Sequence, residues 1–156
     1  MTEHSLLEGA AFFTAVHMRI EHATKKAVEK SARLVQKEAK RVLGTYDYDW
    51  PKLQPETIAR KATGDSPLLE TGAMRRSIKW SVQGDRLNWT AYVGSNDPKA
   101  LWHELGTRHI PPRSFLAGAA MRKEHEVHII CGHDLFHHVF SQHPDFEDEW
   151  SYDGED

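Results

Sequence analysis

The sequence has little of what a covalently stabilised or membrane-spanning fold needs. Cys131 is the only cysteine among 156 residues, so no intramolecular disulfide and no all-cysteine zinc site can form. The uncharged stretches 9–18 and 114–121 are well short of the ~20 apolar residues that a membrane-spanning helix requires. We therefore expect neither a disulfide-stabilised fold nor a transmembrane segment.

The sequence also lacks recognisable catalytic signatures. It has no nucleophile elbow, no glycine loop of the kind that holds phosphate and no paired-aspartate metal motif. His103-Glu104 resembles the start of a zinc-protease helix, but the next histidine, His109, lies six residues on instead of four. Six residues turn a helix by about 240°, which separates the two rings. The sequence therefore predicts a protein that is not an enzyme and has no cofactor.

A leader peptide is not visible either. The first residues include Glu3 and Glu8, without a basic leader or a small-residue cleavage site. This pattern predicts a protein made in the cytoplasm.

Charge is distributed unevenly along the chain. The net charge is only -3, with 39% hydrophobic and 28% charged residues, as is typical of one soluble domain. The residues after Pro144 contain no lysine or arginine but seven acids, namely Asp145, Glu147, Asp148, Glu149, Asp153, Glu155 and Asp156. We predict a single domain over residues 1–143 and a flexible acidic tail over 144–156.

Two long helices are predicted at the ends of the domain. Residues 6–43 contain no proline and only one glycine, Gly9, which favours one long helix that ends at Gly44. Ser114 stands where the N-cap of a second helix over 115–140 belongs.

Between these helices, the pattern predicts short elements and a hairpin. Residues 78–82 and 87–93 are rich in β-branched and aromatic residues and flank a turn at Gly84-Asp85. Residues 107–110 are predicted to form another strand. The residues expected to share the buried face of the second strand are Leu87, Trp89, Ala91 and Val93.

Short helices are predicted where proline or a capping residue provides a start. Pro55 begins one over 55–62, and Asp97 caps another that begins at Pro98. Thr71 is the expected N-cap of a helical turn before the hairpin. Together the elements predict an α+β fold, in which a small antiparallel sheet with a hairpin packs against long N-terminal and C-terminal helices.

The first helix carries a basic stripe, which we define by residues that share one side of the helix. These are Arg19, Lys26, Lys30, Arg33, Lys37, Lys40 and Arg41. A solvated face would explain it, and so would contact with DNA, with a neighbouring subunit or with the acidic tail.

The C-terminal third is rich in histidine. His133 and His137 have the i,i+4 spacing with which two side chains can share a metal. Nothing in the sequence supplies a full set of ligands, so we interpret them as surface or subunit-contact residues and keep them as weak metal candidates.

Four blocks in the middle of the chain resemble a known family. In order they are residues 67–78 (PLLETGAMRRSI), 92–95 (YVGS), 103–107 (HELGT) and 110–116 (IPPRSFL). They resemble the head-tail joining or tail-completion (neck) proteins of long-tailed phages and prophages, with a related group in phage Mu. One departure is Ser114, where the family often has proline. The block residues expected to carry structure or assembly are Leu68, Thr71, Gly72, Arg75, Ile78, Gly94, His103, Glu104, Gly106, Arg113 and Phe115.

The resemblance implies a structural virion protein without catalytic activity. Such a subunit forms a ring, a hexamer or dodecamer, at the head-tail neck or the head-proximal end of the tail. Its partners would be copies of itself, the connector or head-closure protein, tail proteins and passing phage DNA, with no membrane. It would be found in the virion, and in the host cytoplasm during assembly.

Two further hypotheses concern charged side chains. Glu104 and Arg113 flank a proline-stiffened corner, where we expect them to form a two-hydrogen-bond ion pair within one subunit or between two; two independent surface charges are the alternative. The acidic tail would dock on the basic stripe of a neighbour or project into the channel and repel DNA.

Two other functions remain open at this point. One is a nucleic-acid-binding module that uses the basic stripe on phosphates. The other, less favoured, is a metal-dependent hydrolase built on the C-terminal histidines, which would contain stoichiometric zinc.

Overall fold

The structure is a computed structural model that describes residues 6–140. Its elements in chain order are α1 (Leu6–Val42), α2 (Pro55–Arg60), α3 (Ala73–Ser77), β1 (Ile78–Asp85), β2 (Asn88–Ser95), α4 (Pro98–Leu105) and α5 (Leu116–Phe140). The two long helices pack on the two-stranded antiparallel hairpin, which confirms the predicted α+β class. No helix within residues 6–140 is long and apolar enough to cross a membrane. The predicted acidic tail, 144–156, lies outside the described residues.

Helices α1 and α5 run antiparallel along each other. Arg122 of α5 lies 3.8 Å from Glu38, whereas Asp134, further along α5, pairs with Lys30 at 2.9 Å. Helix α5 is continuous through Cys131 and Gly132. The core lies where the C-terminal end of α1 meets the start of α5. Its buried residues are Ala39, Val42, Leu43, Trp50, Met74, Ile78, Ala100, Phe115 and Ala119.

The hairpin turn differs from the prediction. The register places Trp80 opposite Val93 and continues to Asp85 opposite Asn88, so the turn is Arg86-Leu87 and not Gly84-Asp85. Arg86 has a φ of 52°, as the first position of a tight hairpin turn requires. Leu87 therefore lies exposed in the turn and is not part of the buried strand face.

The predicted strand over Thr107–Ile110 is wrong, because this segment closes on itself as a turn. The Thr107 amide donates to the Ile110 carbonyl at 2.8 Å, and the Ile110 amide donates back at 3.3 Å. The Thr107 hydroxyl also accepts from the Ile110 amide at 3.1 Å. A threonine hydroxyl that satisfies nearby amides competes with strand pairing.

The caps of the short helices are partly as predicted. Asp97 caps α4, since its carboxylate accepts from the Lys99 amide at 3.0 Å. Gly72, with a φ of 72°, occupies the N-cap of α3 in place of Thr71. The Thr71 hydroxyl still accepts from the Ala73 amide at 3.3 Å, so it satisfies an amide from one position further out.

Candidate functional site

The four sequence blocks meet in one corner of the molecule. The first and second blocks join where Ile78 pairs with Ser95 and where the Ser77 and Ser95 hydroxyls lie 2.6 Å apart. The third and fourth blocks join where the Arg113 amide donates to the His103 carbonyl at 2.7 Å. Segments far apart in sequence therefore build a single structure.

Glu104 is the side chain that joins α4 to α5. Its carboxylate accepts from the amides of Phe115, Leu116 and Ala117, each at 2.9 Å, and from the Ser114 hydroxyl at 2.5 Å. These amides are the unpaired donors of the first turn of α5, where the helix dipole also favours a negative charge. Glu104 thus performs the capping role predicted for Ser114, and the Ser114 hydroxyl donates to it.

The predicted ion pair between Glu104 and Arg113 does not form within the subunit. Arg113 turns away from Glu104, and its Nη2 donates to the Pro51 carbonyl at 2.8 Å. The reason is that four donors at the start of α5 already occupy the Glu104 carboxylate. A pair between two subunits stays a prediction.

A cavity of about 450 Å³ opens beside Arg113. Three segments form its wall: α2 with the loop before it, the loop through α3, and α4. The lining residues are Leu53, Thr57, Arg60, Lys61, Leu68, Leu69, Glu70, Thr71, Gly72, Ala73, Met74, Asp97, Lys99, His103 and Arg113.

The cavity has a positive electrostatic character. Arg113 is only 6% exposed, and its Nε is buried with no hydrogen-bond partner, as is Nδ1 of His103. Burial lowers the pKa of His103, and the positive charges of Arg113 and Lys61 lower this pKa further. Burial also lowers the pKa of Lys61, whose ammonium donates to the carbonyls of Ser66 and Leu69 at 2.5 and 2.7 Å.

Other block residues have structural positions around this corner. Leu68 is half-buried against the core with a φ of 61°, Gly94 pairs with Lys79 in the hairpin, and Arg75 is exposed on α3. Gly106 has a φ of 78°, and a Cβ there would lie 3.0 Å from Pro112. Glycine is therefore required at this position, because the left-handed backbone and the close approach both disfavour a side chain.

The basic stripe is divided among several roles. Lys30 pairs with Asp134, Arg33 lies 5.1 Å from the ring centre of Trp80, and Arg41 donates to Glu38 at 2.8 Å. The others form no ion pair within residues 6–140. These four are Arg19, Lys26, Lys37 and Lys40.

The two candidate metal ligands stack on each other. The rings of His133 and His137 have centres 5.8 Å apart and planes 22° apart, and His133 Nδ1 lies 3.6 Å from Asp134 Oδ1. Within residues 6–140, no group of three or more potential ligands converges. Asp134 is instead positioned by Lys30.

Large apolar side chains are exposed at several places, and at two of them neighbouring residues are exposed together. On α4, Leu101, Trp102 and Leu105 are 61%, 48% and 71% exposed. On the first half of α1, Phe12 and Phe13 are exposed in the described part of the chain. Because large contiguous apolar patches mark interaction sites, these two groups are candidates for contact with a partner.

The sequence did not identify the cavity. Arg60 and Lys61 lie in one segment, Lys99 in another, and no spacing links them to Arg113. The adjacent basic pair at the end of α2, Arg60-Lys61, was the only signal available.

Comparisons with known protein families, with curated proteins and with solved structures found no match.

Proposed function

We propose that this protein is a structural virion protein of a tailed bacteriophage, which assembles as a ring at the head-tail neck or the head-proximal end of the tail. The proposal starts from the resemblance of the four blocks, and their convergence in one corner supports it. Four short motifs that build a single structure support the family resemblance more strongly than four motifs that lie apart.

The observation that carries the proposal is the pair of exposed apolar surfaces. One comprises Leu101, Trp102 and Leu105 on α4, and the other Phe12 and Phe13 on α1. Two different surfaces that meet between successive copies give a head-to-tail contact, which closes into a ring when the rotation between copies divides a full turn. The apolar patches would then be buried between subunits.

The test is the assembly state of the full chain. We expect light scattering after size exclusion to give one defined mass above the monomer, and negative-stain images to show rings. Leu105→Glu should reduce the assembly to smaller species, whereas Thr90→Glu, on the exposed face of the hairpin, should leave it intact. A monomer at every concentration, together with absence from purified virions, would contradict the proposal.

A nucleic-acid-binding module is the second candidate. The exposed part of the basic stripe, Arg19, Lys26 and Lys37, favours it, since these side chains have no ion pair within residues 6–140. Phosphate contacts by three cations should give DNA binding that weakens steeply with salt. Gel shifts at two salt concentrations, repeated with these residues changed to glutamine, test this function independently of ring formation.

A further inference from the structure

Arg113 is a buried cation without an acidic partner among residues 6–140. It is 6% exposed, its Nη2 donates to a carbonyl, and its Nε makes no hydrogen bond. Neither Glu104 nor any other carboxylate in this part of the chain forms a salt bridge with it. A buried charge is costly unless it is paired and hydrogen-bonded. Arg113 therefore contributes a positive charge to the cavity wall that no carboxylate of residues 6–140 neutralises.

His103 of α4 lies next to Arg113, whose amide donates to the His103 carbonyl. Its Nδ1 is buried without a partner, and it lines the same cavity as Arg113. The lowered pKa of His103 reflects burial and then the positive charges of Arg113 and Lys61. A carboxylate bound in the cavity would counter the positive charges of Arg113 and Lys61 and so raise the pKa of His103.

The rest of the lining indicates what else the ligand carries. Arg60, Lys61, Lys99 and Arg113 outnumber the two carboxylates that line the cavity, Glu70 and Asp97. The Asp97 carboxylate already accepts from the Lys99 amide. This positive excess favours an anionic ligand over a neutral one.

Apolar residues line the same cavity. Leu53, Leu68, Leu69 and Met74 provide surface for a hydrophobic side chain next to the anion. The volume of about 450 Å³ accommodates a short peptide segment in place of a single ion.

We propose that this cavity binds a short carboxylate-bearing peptide segment, and that the segment lies within residues 145–156 of a second copy of the chain. This stretch contains seven acids and no lysine or arginine, with Phe146, Trp150 and Tyr152 between them. Its alternation of acidic and aromatic residues complements the cationic and apolar lining. The second-copy occupant rests on the proposed ring assembly, whereas the carboxylate site itself does not.

Chain length favours a second copy over the same copy. Helix α5 begins beside the corner and ends at Phe140, and its 25 residues span about 37 Å. The 16 residues that follow reach at most about 55 Å when fully extended. The last acids could therefore return to the cavity of their own chain, whereas Asp145, Glu147, Asp148 and Glu149 could reach only the cavity of another copy.

The test uses full-length protein in which the seven tail acids are changed to asparagine or glutamine, so that the tail does not compete with an added peptide for the cavity. The probe is a fluorescent peptide of residues 144–156, and circular dichroism checks that each variant is folded. We expect Arg60→Glu with Lys99→Glu to weaken peptide binding at least tenfold. Lys52→Glu, an exposed change outside the cavity, should alter it less than twofold. These rim changes leave the buried Arg113 in place.

The outcomes separate the parts of the proposal. Equal peptide binding with and without Arg60→Glu and Lys99→Glu would overturn the assignment of this cavity as the binding site. The absence of any peptide binding would overturn it as well. Equal binding of a polyglutamate peptide without aromatic residues would overturn the assignment to residues 145–156. Peptide binding that raises the His103 pKa in NMR titrations would support the site. Rings without peptide binding would refute this inference alone. Peptide binding without rings would refute the proposed ring and the second-copy occupant, and would leave the carboxylate site supported.

Discussion

The two ends of the α1–α5 pair have the same amphipathic pattern but different surroundings. At the C-terminal end of α1, Ala39 and Val42 are buried with Phe115 and Ala119 of α5. At the N-terminal end, Phe12 and Phe13 remain exposed in the described part of the chain. The comparison shows that apolar periodicity predicts a face that will be covered, but not what covers it. One end stabilises the subunit, and in the proposed ring the other end would contact a neighbouring copy.

The largest expected effect contrasts these two ends directly. Phe115 is fully buried, so Phe115→Ala should reduce the free energy of unfolding by about 3–5 kcal/mol through lost burial and a residual cavity. Phe12→Ala, at a side chain that is 64% exposed, should change it by less than about 0.5 kcal/mol. Urea denaturation measures both. Similar losses would mean that the exposed end also contributes to the stability of the monomer.

The second largest effect is expected from acid, which should lower the free energy of unfolding through the packed end. Hydrogen bonds from Arg41, with a further one from Tyr48, lower the pKa of Glu38 from 4.5 to about 2. Because this folded-state pKa lies below the unfolded value, the stabilisation is complete above pH 4.5 and is lost as the pH falls towards 2. It amounts to up to about 3 kcal/mol.

A pair of variants isolates this contribution. The stability difference between the unchanged protein and Glu38→Gln should shrink as the pH is lowered from 6 to 2. The difference for Glu124→Gln, an exposed residue of α5, should stay constant. A stability difference for Glu38→Gln that does not depend on pH would contradict the lowered pKa of Glu38.

The Glu104 cap should have a smaller effect, also confined to the packed end. Glu104→Ala leaves three amides and a hydroxyl without their acceptor and should cost about 2 kcal/mol. Glu104→Gln keeps one acceptor oxygen and should cost about half as much, since it loses the charge at the helix N-terminus. Thermal unfolding measures the order of stability of the two Glu104 variants. An equal loss of stability for Glu124→Ala would argue against a specific cap.

Two glycines of α5 give the smallest and most closely matched comparison. A Cβ on Gly118 would lie 2.7 Å from the Tyr48 ring, so Gly118→Ala should destabilise by about 1–2 kcal/mol. A Cβ on Gly132 meets nothing within 4 Å, so Gly132→Ala should stabilise by up to about 1 kcal/mol through helix propensity. Opposite signs in urea denaturation check the assignment of both environments.

The sequence predicts those features that depend on neighbouring residues. The span of α1 differs from its prediction by one residue, α2 begins at Pro55, and Asp97 caps α4. Each has a local signal, either an unbroken helical pattern, a proline or a capping side chain.

The errors arise where a distant partner decides the outcome. Glu104 replaces Ser114 as the cap of α5 because another helix brings a carboxylate to the exposed amides. The hairpin turn moves to Arg86-Leu87 because cross-strand pairing sets the register. The cavity around Arg113 is invisible in the sequence for the same reason, since three segments with no shared spacing form it.

The Glu104 cap also has a mechanical consequence. A single carboxylate joins α4 to the first turn of α5, and the exposed residues of α4 include Leu101, Trp102 and Leu105. A partner that binds this surface would act on α5 through Glu104, and α5 runs along α1 at least as far as the Lys30–Asp134 pair. We therefore expect a force applied to the exposed surface of α4 to be transmitted to α5 through Glu104.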